Sequence, residues 1–186
     1  MSKQKRNNLR PLYIALGGIL LLAVIALVVN YTQPEADTDE AVGMIPAQMD
    51  KPAPELDLVD LSGDSVSLDD LAGQVVFVNH WATWCPPCRA EMPELEAYYR
   101  AHREEGFTLV AINAGEPAED VEPFVEELDL SFPVWVDPQG EAMRAFGVSG
   151  LPTSFAIDGS GTIVQAWPGA VTLEQLEEHV TPLFNQ

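Results

Sequence analysis

Three spacings of apolar residues divide this chain. The first is an unbroken run, Leu12 to Val29, of 18 residues without a charge. At about 1.5 Å per residue a helix of that length spans roughly 27 Å, close to the hydrocarbon core of a bilayer. The second is the period of two. Glu55-Leu56-Asp57-Leu58-Val59-Asp60 alternates, Ser62-Gly63-Asp64 supplies a turn, and Ser65-Val66-Ser67-Leu68 alternates again, which predicts a β-hairpin. The third is a series of buried strands and amphipathic helices. Val75-Val76-Phe77-Val78-Asn79-His80 is apolar and β-branched until its polar end and predicts a buried strand. A helix is predicted over 86–104, with Pro93 expected to kink it, and a second apolar strand over Phe107–Asn113. Val121, Phe124, Val125 and Leu128 share one face of a helix over 118–128. Then come a short strand at 133–136, a short helix at 141–146, strands 153–158 and 162–167 around Gly159-Ser160-Gly161, and a closing helix over 173–183. Asp69 to Gly73 reads as a turn or helical step. The order predicts an α/β fold with a mixed central sheet flanked by helices, an N-terminal β-hairpin extension, and one transmembrane helix ahead of it.

Charge sharpens the division. Lys3, Lys5, Arg6 and Arg10 precede the apolar run, and no acid does. Basic flanks stay on the cytoplasmic side, so residues 1–11 are expected inside and the rest outside. The run is longer than a usual signal-peptide core and Val28-Val29-Asn30-Tyr31 has no small-x-small site, so 12–30 reads as an uncleaved single-pass anchor in the cell membrane. Residues 31–50, rich in Pro, Ala, Asp and Glu, read as an acidic flexible linker. Residues 51–186 then form one extracytoplasmic domain, in a periplasm or on an outer face. All 29 acids follow the anchor, against five basic residues there: Lys51, Arg89, Arg100, Arg103 and Arg144. That balance excludes a nucleic-acid partner, which needs a basic face. The acids are scattered rather than gathered at one place, and read as a solubility feature.

The chain has two cysteines, Trp84-Cys85-Pro86-Pro87-Cys88. No other cysteine is present to complete a tetrathiolate site or a disulfide framework, so a redox-active Cys85–Cys88 pair needing no cofactor and no metal is the leading reading, ahead of a structural disulfide or half of a metal site. The pair lies at a strand-to-helix junction. Prolines are tolerated in the first helical turn, and unpaired N–H groups there favour a thiolate at Cys85. Cys85 is therefore the expected nucleophile and Cys88, one turn deeper, the resolving thiol. Trp84 is expected on the docking surface, Trp81 in the core, and Pro86 and Pro87 are expected to set the redox poise. Glu91, three residues after Cys88, shares its helix face, and a partly buried carboxyl there would manage protons, unless it is an ordinary surface glutamate. His80 is expected on the opposite sheet face from Asn79 as a structural histidine, and His102 and His179 on helix surfaces.

The segment Asn79-His80-Trp81-Ala82-Thr83-Trp84-Cys85-Pro86-Pro87-Cys88-Arg89-Ala90-Glu91-Met92-Pro93, with Gly150-Leu151-Pro152-Thr153-Ser154-Phe155, resembles the two motifs of membrane-anchored thioredoxin-like proteins of the TlpA/ResA/CcmG type. The resemblance implies a thioredoxin-like fold and a functional acid at Glu91. It implies a cis Leu151–Pro152 bond that leaves the Leu151 backbone open to a substrate strand and blocks metal capture. Asn79 stands where ordinary thioredoxins carry a buried aspartate, which leaves Glu91 as the main proton carrier. The resemblance further implies a reductase of protein disulfides, with apocytochrome c as substrate in cytochrome c maturation and a membrane electron donor of the CcdA/DsbD type. A disulfide-forming oxidase shares every motif. A peroxidase of the peroxiredoxin class is disfavoured because no Pro-x-x-x-Thr-x-x-Cys pattern precedes Cys85. A copper chaperone or docking module lacks a suitable nearby histidine.

Overall fold

The structure, a computed structural model, describes residues 46–185. Eight strands form one mixed sheet in the order β1-β8-β7-β4-β5-β6-β2-β3. They are β1 Ala47–Pro52, β2 Asp57–Asp60, β3 Ser65–Ser67, β4 Val75–Trp81, β5 Phe107–Ala114, β6 Val134–Asp137, β7 Thr153–Ile157 and β8 Thr162–Pro168. Helices α1 (Pro86–His102), α2 (Ala118–Glu127), α3 (Glu141–Phe146) and α4 (Leu173–His179) lie between or after them. The central strands β4, β5 and β6 are parallel, and β7 runs antiparallel to β4. The β2–β3 hairpin extends the sheet beyond β6 as the alternation predicts.

Every residue of β4 and β5 is buried. Strands covered on both faces read as continuous apolar runs, which is why no alternation was visible in them. The period of two still decides which layer each side chain enters. Phe77 and Trp81 join Met92, Leu95 and Tyr98 of α1, Val121 and Phe124 of α2, and Leu176 of α4. Val76 and Val78 join Val110, Ile112, Ala142, Phe146 and Phe155 on the other face. Fully burying side chains of this size contributes roughly 1.5–3 kcal/mol each.

Two boundaries differ from expectation. Residues 47–50, read as linker, belong to β1, which pairs antiparallel with β8. It is an edge strand exposed along nearly its whole length, so it carries no apolar alternation. The closing helix stops at His179 and passes into a 3-10 turn, Thr181–Asn185, because Pro182 disfavours helical geometry at the residue before it. Among the described residues no helix is long and apolar enough to cross a membrane. The anchor at 12–30 and the rest of the linker lie outside the described residues.

Candidate active site

β4 delivers the chain into a tight turn, with the Cys85 N–H donating to the Ala82 carbonyl at 3.2 Å. Cys85 then caps α1 with an extended backbone, φ −88° and ψ 107°, and its Sγ accepts the Cys88 N–H at 3.3 Å. Pro86 and Pro87 fill the first helical turn and donate nothing, so the Cys88 N–H is the helix-terminal donor that reaches the sulfur. Cys85 and Cys88 are joined in a disulfide with Cα atoms 5.3 Å apart. Cys85 is 3% exposed and Cys88 fully buried, while Trp84 beside them is 68% exposed. The Leu151–Pro152 bond is cis, as the resemblance implies. Leu151 packs on the core cluster that contains both cysteines.

Glu91 is buried at 2% exposure rather than lying on the helix surface. Its Oε1 accepts from Asn79 Nδ2 at 2.9 Å and its Oε2 from the Val171 N–H at 2.9 Å. Val171 is held there by α4, whose N-cap Thr172 forms a capping box with Gln175. Burial pushes the Glu91 carboxyl up to about 7; the two donors pull it down and neighbouring Glu94 adds a small upward push. Asn79 also donates to Ser154 Oγ at 2.9 Å, directly across the β4–β7 pairing. A carboxyl with this value beside a thiol pair can take and return a proton near neutral pH.

His80 does lie on the other sheet face. Its Nδ1 is 3.3 Å from the Thr153 carbonyl and its ring packs on Phe146 and Phe155. Burial drives its pKa down to about 4, so it is neutral at neutral pH. His102 and His179 are half-buried rather than superficial, His102 among the rings of Tyr98 and Phe184. Among the described residues no three His, Cys, Asp or Glu side chains gather into a group able to hold a metal.

A polar clamp escaped the sequence reading. The Glu116 carboxylate accepts from the Thr83 N–H at 2.7 Å, the Thr83 hydroxyl at 2.5 Å and Asn113 Nδ2 at 2.8 Å. Arg89 donates to the Thr83 carbonyl at 3.4 Å and stacks over Phe124, 4.6 Å from its centroid. Every polar group of Thr83, two residues before Cys85, is therefore fixed from outside its own loop. The available signal was positional: Asn113 is near the end of a parallel strand and Glu116 just past it, at the edge where such sheets place their sites.

Residues 49–166 match the AhpC/TSA family. The thiol-disulfide oxidoreductase ResA of Bacillus cereus is 37% identical over 87% of this chain and 92% of its own. The ResA of Geobacillus kaustophilus is 36% identical over 97% of each chain. A thiol:disulfide interchange protein of the thioredoxin family from Chlorobium tepidum is similar at a TM-score of 0.67 and 30% identity, over 74% of this chain and 99% of its own. StoA of Bacillus subtilis is similar at 0.60 and 29%, over 72% and 98%.

Proposed function

The chain belongs to the AhpC/TSA family, as a thioredoxin-like thiol–disulfide oxidoreductase, and on that premise we propose that it is a membrane-tethered reductase of protein disulfides outside the cytoplasm. The Cys85 thiolate attacks one sulfur of a client disulfide. That S–S bond breaks, a mixed disulfide forms, and the second client sulfur leaves as a thiolate. Glu91 takes the proton of the Cys88 thiol, and the Cys88 sulfur attacks Cys85 Sγ. The mixed disulfide breaks, the client departs with both sulfurs reduced, and the Cys85–Cys88 disulfide remains. The proton on Glu91 returns to solvent or to the client thiolate. Trp84, Pro86, Pro87 and the Leu151 backbone before Pro152 form the surface on which the client strand lies.

The observation that carries this reading is the Cys85–Cys88 disulfide at the start of α1 with the buried carboxyl of Glu91 on the same helix. It also supports the reducing direction. An ionised Glu91 opposes a second negative charge on the thiols, and the two prolines withhold donors from Cys85. Both effects destabilise the reduced, thiolate-bearing form and favour the disulfide, the opposite of a strong oxidant. The apolar run at 12–30 with its basic flank supports the tether, which raises the effective concentration of membrane partners. The resemblance supports apocytochrome c as client and a donor of the CcdA/DsbD type.

The reduction potential of the full chain in thiol buffers tests the direction. A value well below the glutathione couple is expected, and one above about −150 mV would assign the protein to disulfide formation instead. Cys88→Ser should trap the client as a mixed disulfide on Cys85. Turnover of hydrogen peroxide by the wild-type chain at a rate matching disulfide reduction would favour the peroxidase reading.

A further inference from the structure

We propose that Asn79, with Ser154, is a positioning residue that serves Glu91 in both of its protonation states by turning its side-chain amide over. The inference rests on the reading of Glu91 as the proton carrier and adds the device that lets it carry. Three buried side chains meet here from different elements: Asn79 from β4, Glu91 from α1 and Ser154 from β7. Asn79 Nδ2 gives one hydrogen to Glu91 Oε1 and the other to Ser154 Oγ. That arrangement suits an ionised Glu91, which only accepts. It leaves the buried Asn79 Oδ1 with no donor.

A protonated Glu91 needs the reverse, because its new O–H needs an acceptor. Rotating the Asn79 amide by half a turn puts Oδ1 where Nδ2 was. Oδ1 then receives the Glu91 O–H, and the Ser154 hydroxyl, which can donate as well as accept, turns its own hydrogen towards the same oxygen. An aspartate cannot do this, since it would set a second carboxylate against Glu91. A leucine serves neither state. The other groups acting on Glu91 are the Val171 N–H from the loop before α4 and Glu94 on its own helix, with Cys88 one turn earlier on that helix. His80 faces away on the opposite side of β4. Among the described residues no cation hydrogen-bonds Glu91, so its proton affinity is set by burial, by the Val171 N–H and by this amide.

Carbon and nitrogen NMR titration of the full chain, following the Glu91 carboxyl and the Asn79 side-chain amide, tests the proposal. The two midpoints are expected to coincide, with both amide hydrogens changing environment. Amide signals that stay constant through the Glu91 titration would overturn it without recourse to any variant. Asn79→Leu removes a charge-assisted donor from the carboxylate and a weaker neutral acceptor from the acid, so the Glu91 midpoint is expected to rise by about half a unit to one unit. Asn79→Asp should raise it and split the titration into two steps. Ser154→Ala removes one hydrogen bond from each arrangement, so the midpoint should stay within about half a unit. A full-unit shift there would show that Ser154 serves one state alone and defeat the two-orientation scheme. Glu91→Gln separates the layers. If disulfide exchange is unchanged in that variant, the proton-carrier reading fails. If exchange slows but the Asn79 variants leave the Glu91 midpoint in place, only the present inference fails.

Discussion

Helix α1 buries two glutamates five residues apart, and their surroundings are opposites. Glu96, at 7% exposure, faces Arg100, which it pairs with one turn along, and accepts the Ser131 N–H at 2.8 Å and the Ser131 hydroxyl at 2.6 Å. Arg100 in turn holds the Asp129 carbonyl and carboxylate at the end of α2. This carboxylate has a permanent cation and ties α1 to the loop before β6. Glu91 has a neutral amide and one backbone N–H, and its proton is held loosely enough to exchange. Burial alone does not make a carboxyl chemically active. A buried carboxylate with a fixed countercharge is a structural tie, and one without it, the proton carrier proposed at Glu91, is free to exchange its proton near neutral pH.

The largest expected effect breaks the pair by chemistry. Glu91→Gln should slow attack of Cys88 on a mixed disulfide about a hundredfold at neutral pH, the ordinary worth of a positioned general base. Glu96→Gln should change that rate less than about twofold, since Glu96 lies more than two turns from Cys88. Stopped-flow reduction of a small disulfide peptide reads both. Equal losses in the two variants would erase the distinction.

Next in size is the pH dependence of stability, in which His80 supplies a mirror image. The Glu91 pKa is raised from 4.5 to about 7 on folding. Its contribution is fully present below 4.5 and is lost as pH rises through 7. The His80 pKa is lowered from 6.5 to about 4. Its contribution is present above 6.5 and is lost as pH falls through 4. Each amounts to about 3 kcal/mol over its window. The slopes oppose one another where the windows overlap, so urea midpoints of the wild type should change little between pH 5 and 6. Glu91→Gln should uncover the rising limb, and be more stable than wild type at pH 8. A flat profile in that variant would show that His80 is not held neutral.

Glu96→Ala sharpens the comparison from the structural side. It takes the acceptor from the Ser131 N–H and hydroxyl and frees Arg100, for a loss of about 1 kcal/mol. Thermal unfolding should register it, and the pH profile of thiol alkylation should not. Trp84→Ala should lie near the opposite limit, within about 0.5 kcal/mol of wild type because the ring is exposed, while the KM for a protein disulfide rises.

Much of this contrast was hidden in the chain for a physical reason. The buried run at 75–80, the proline-started helix and the hairpins follow from periods and turn residues, and they were readable. The Cys85 cap was readable too, because it is local. Glu91 reads as partly buried from its place one turn after Cys88, but nothing local marks Glu96 as buried or shows that it alone has a cation. Their partners, Asn79, Val171 and Ser131, lie 12, 80 and 35 residues away. Ser154 and Glu116 reach the site over 75 and 33 residues. Such contacts are made by register and by loop closure, which no local period encodes. β1 was missed because an exposed edge strand has no buried face to pattern.

The smallest expected effect comes from a third kind of carboxylate partner. His102 stands between Glu105 and Glu177, with Nδ1 3.0 Å and Nε2 3.1 Å from their oxygens. Partial burial works against its charge, but the two carboxylates prevail and hold its pKa above 6.5. A raised histidine contributes stability that is fully present below 6.5 and lost as pH rises through its folded value. Glu177 therefore has a countercharge at acid pH and lacks one at alkaline pH, midway between the fixed pair of Glu96 and the cation-free site of Glu91. His102→Gln should cost under about 1 kcal/mol at pH 6, fade in about 0.5 M salt, and cost nothing electrostatic at pH 9. The same loss at both pH values would show that the ring matters through its packing on Tyr98 and Phe184 and that its charge is incidental.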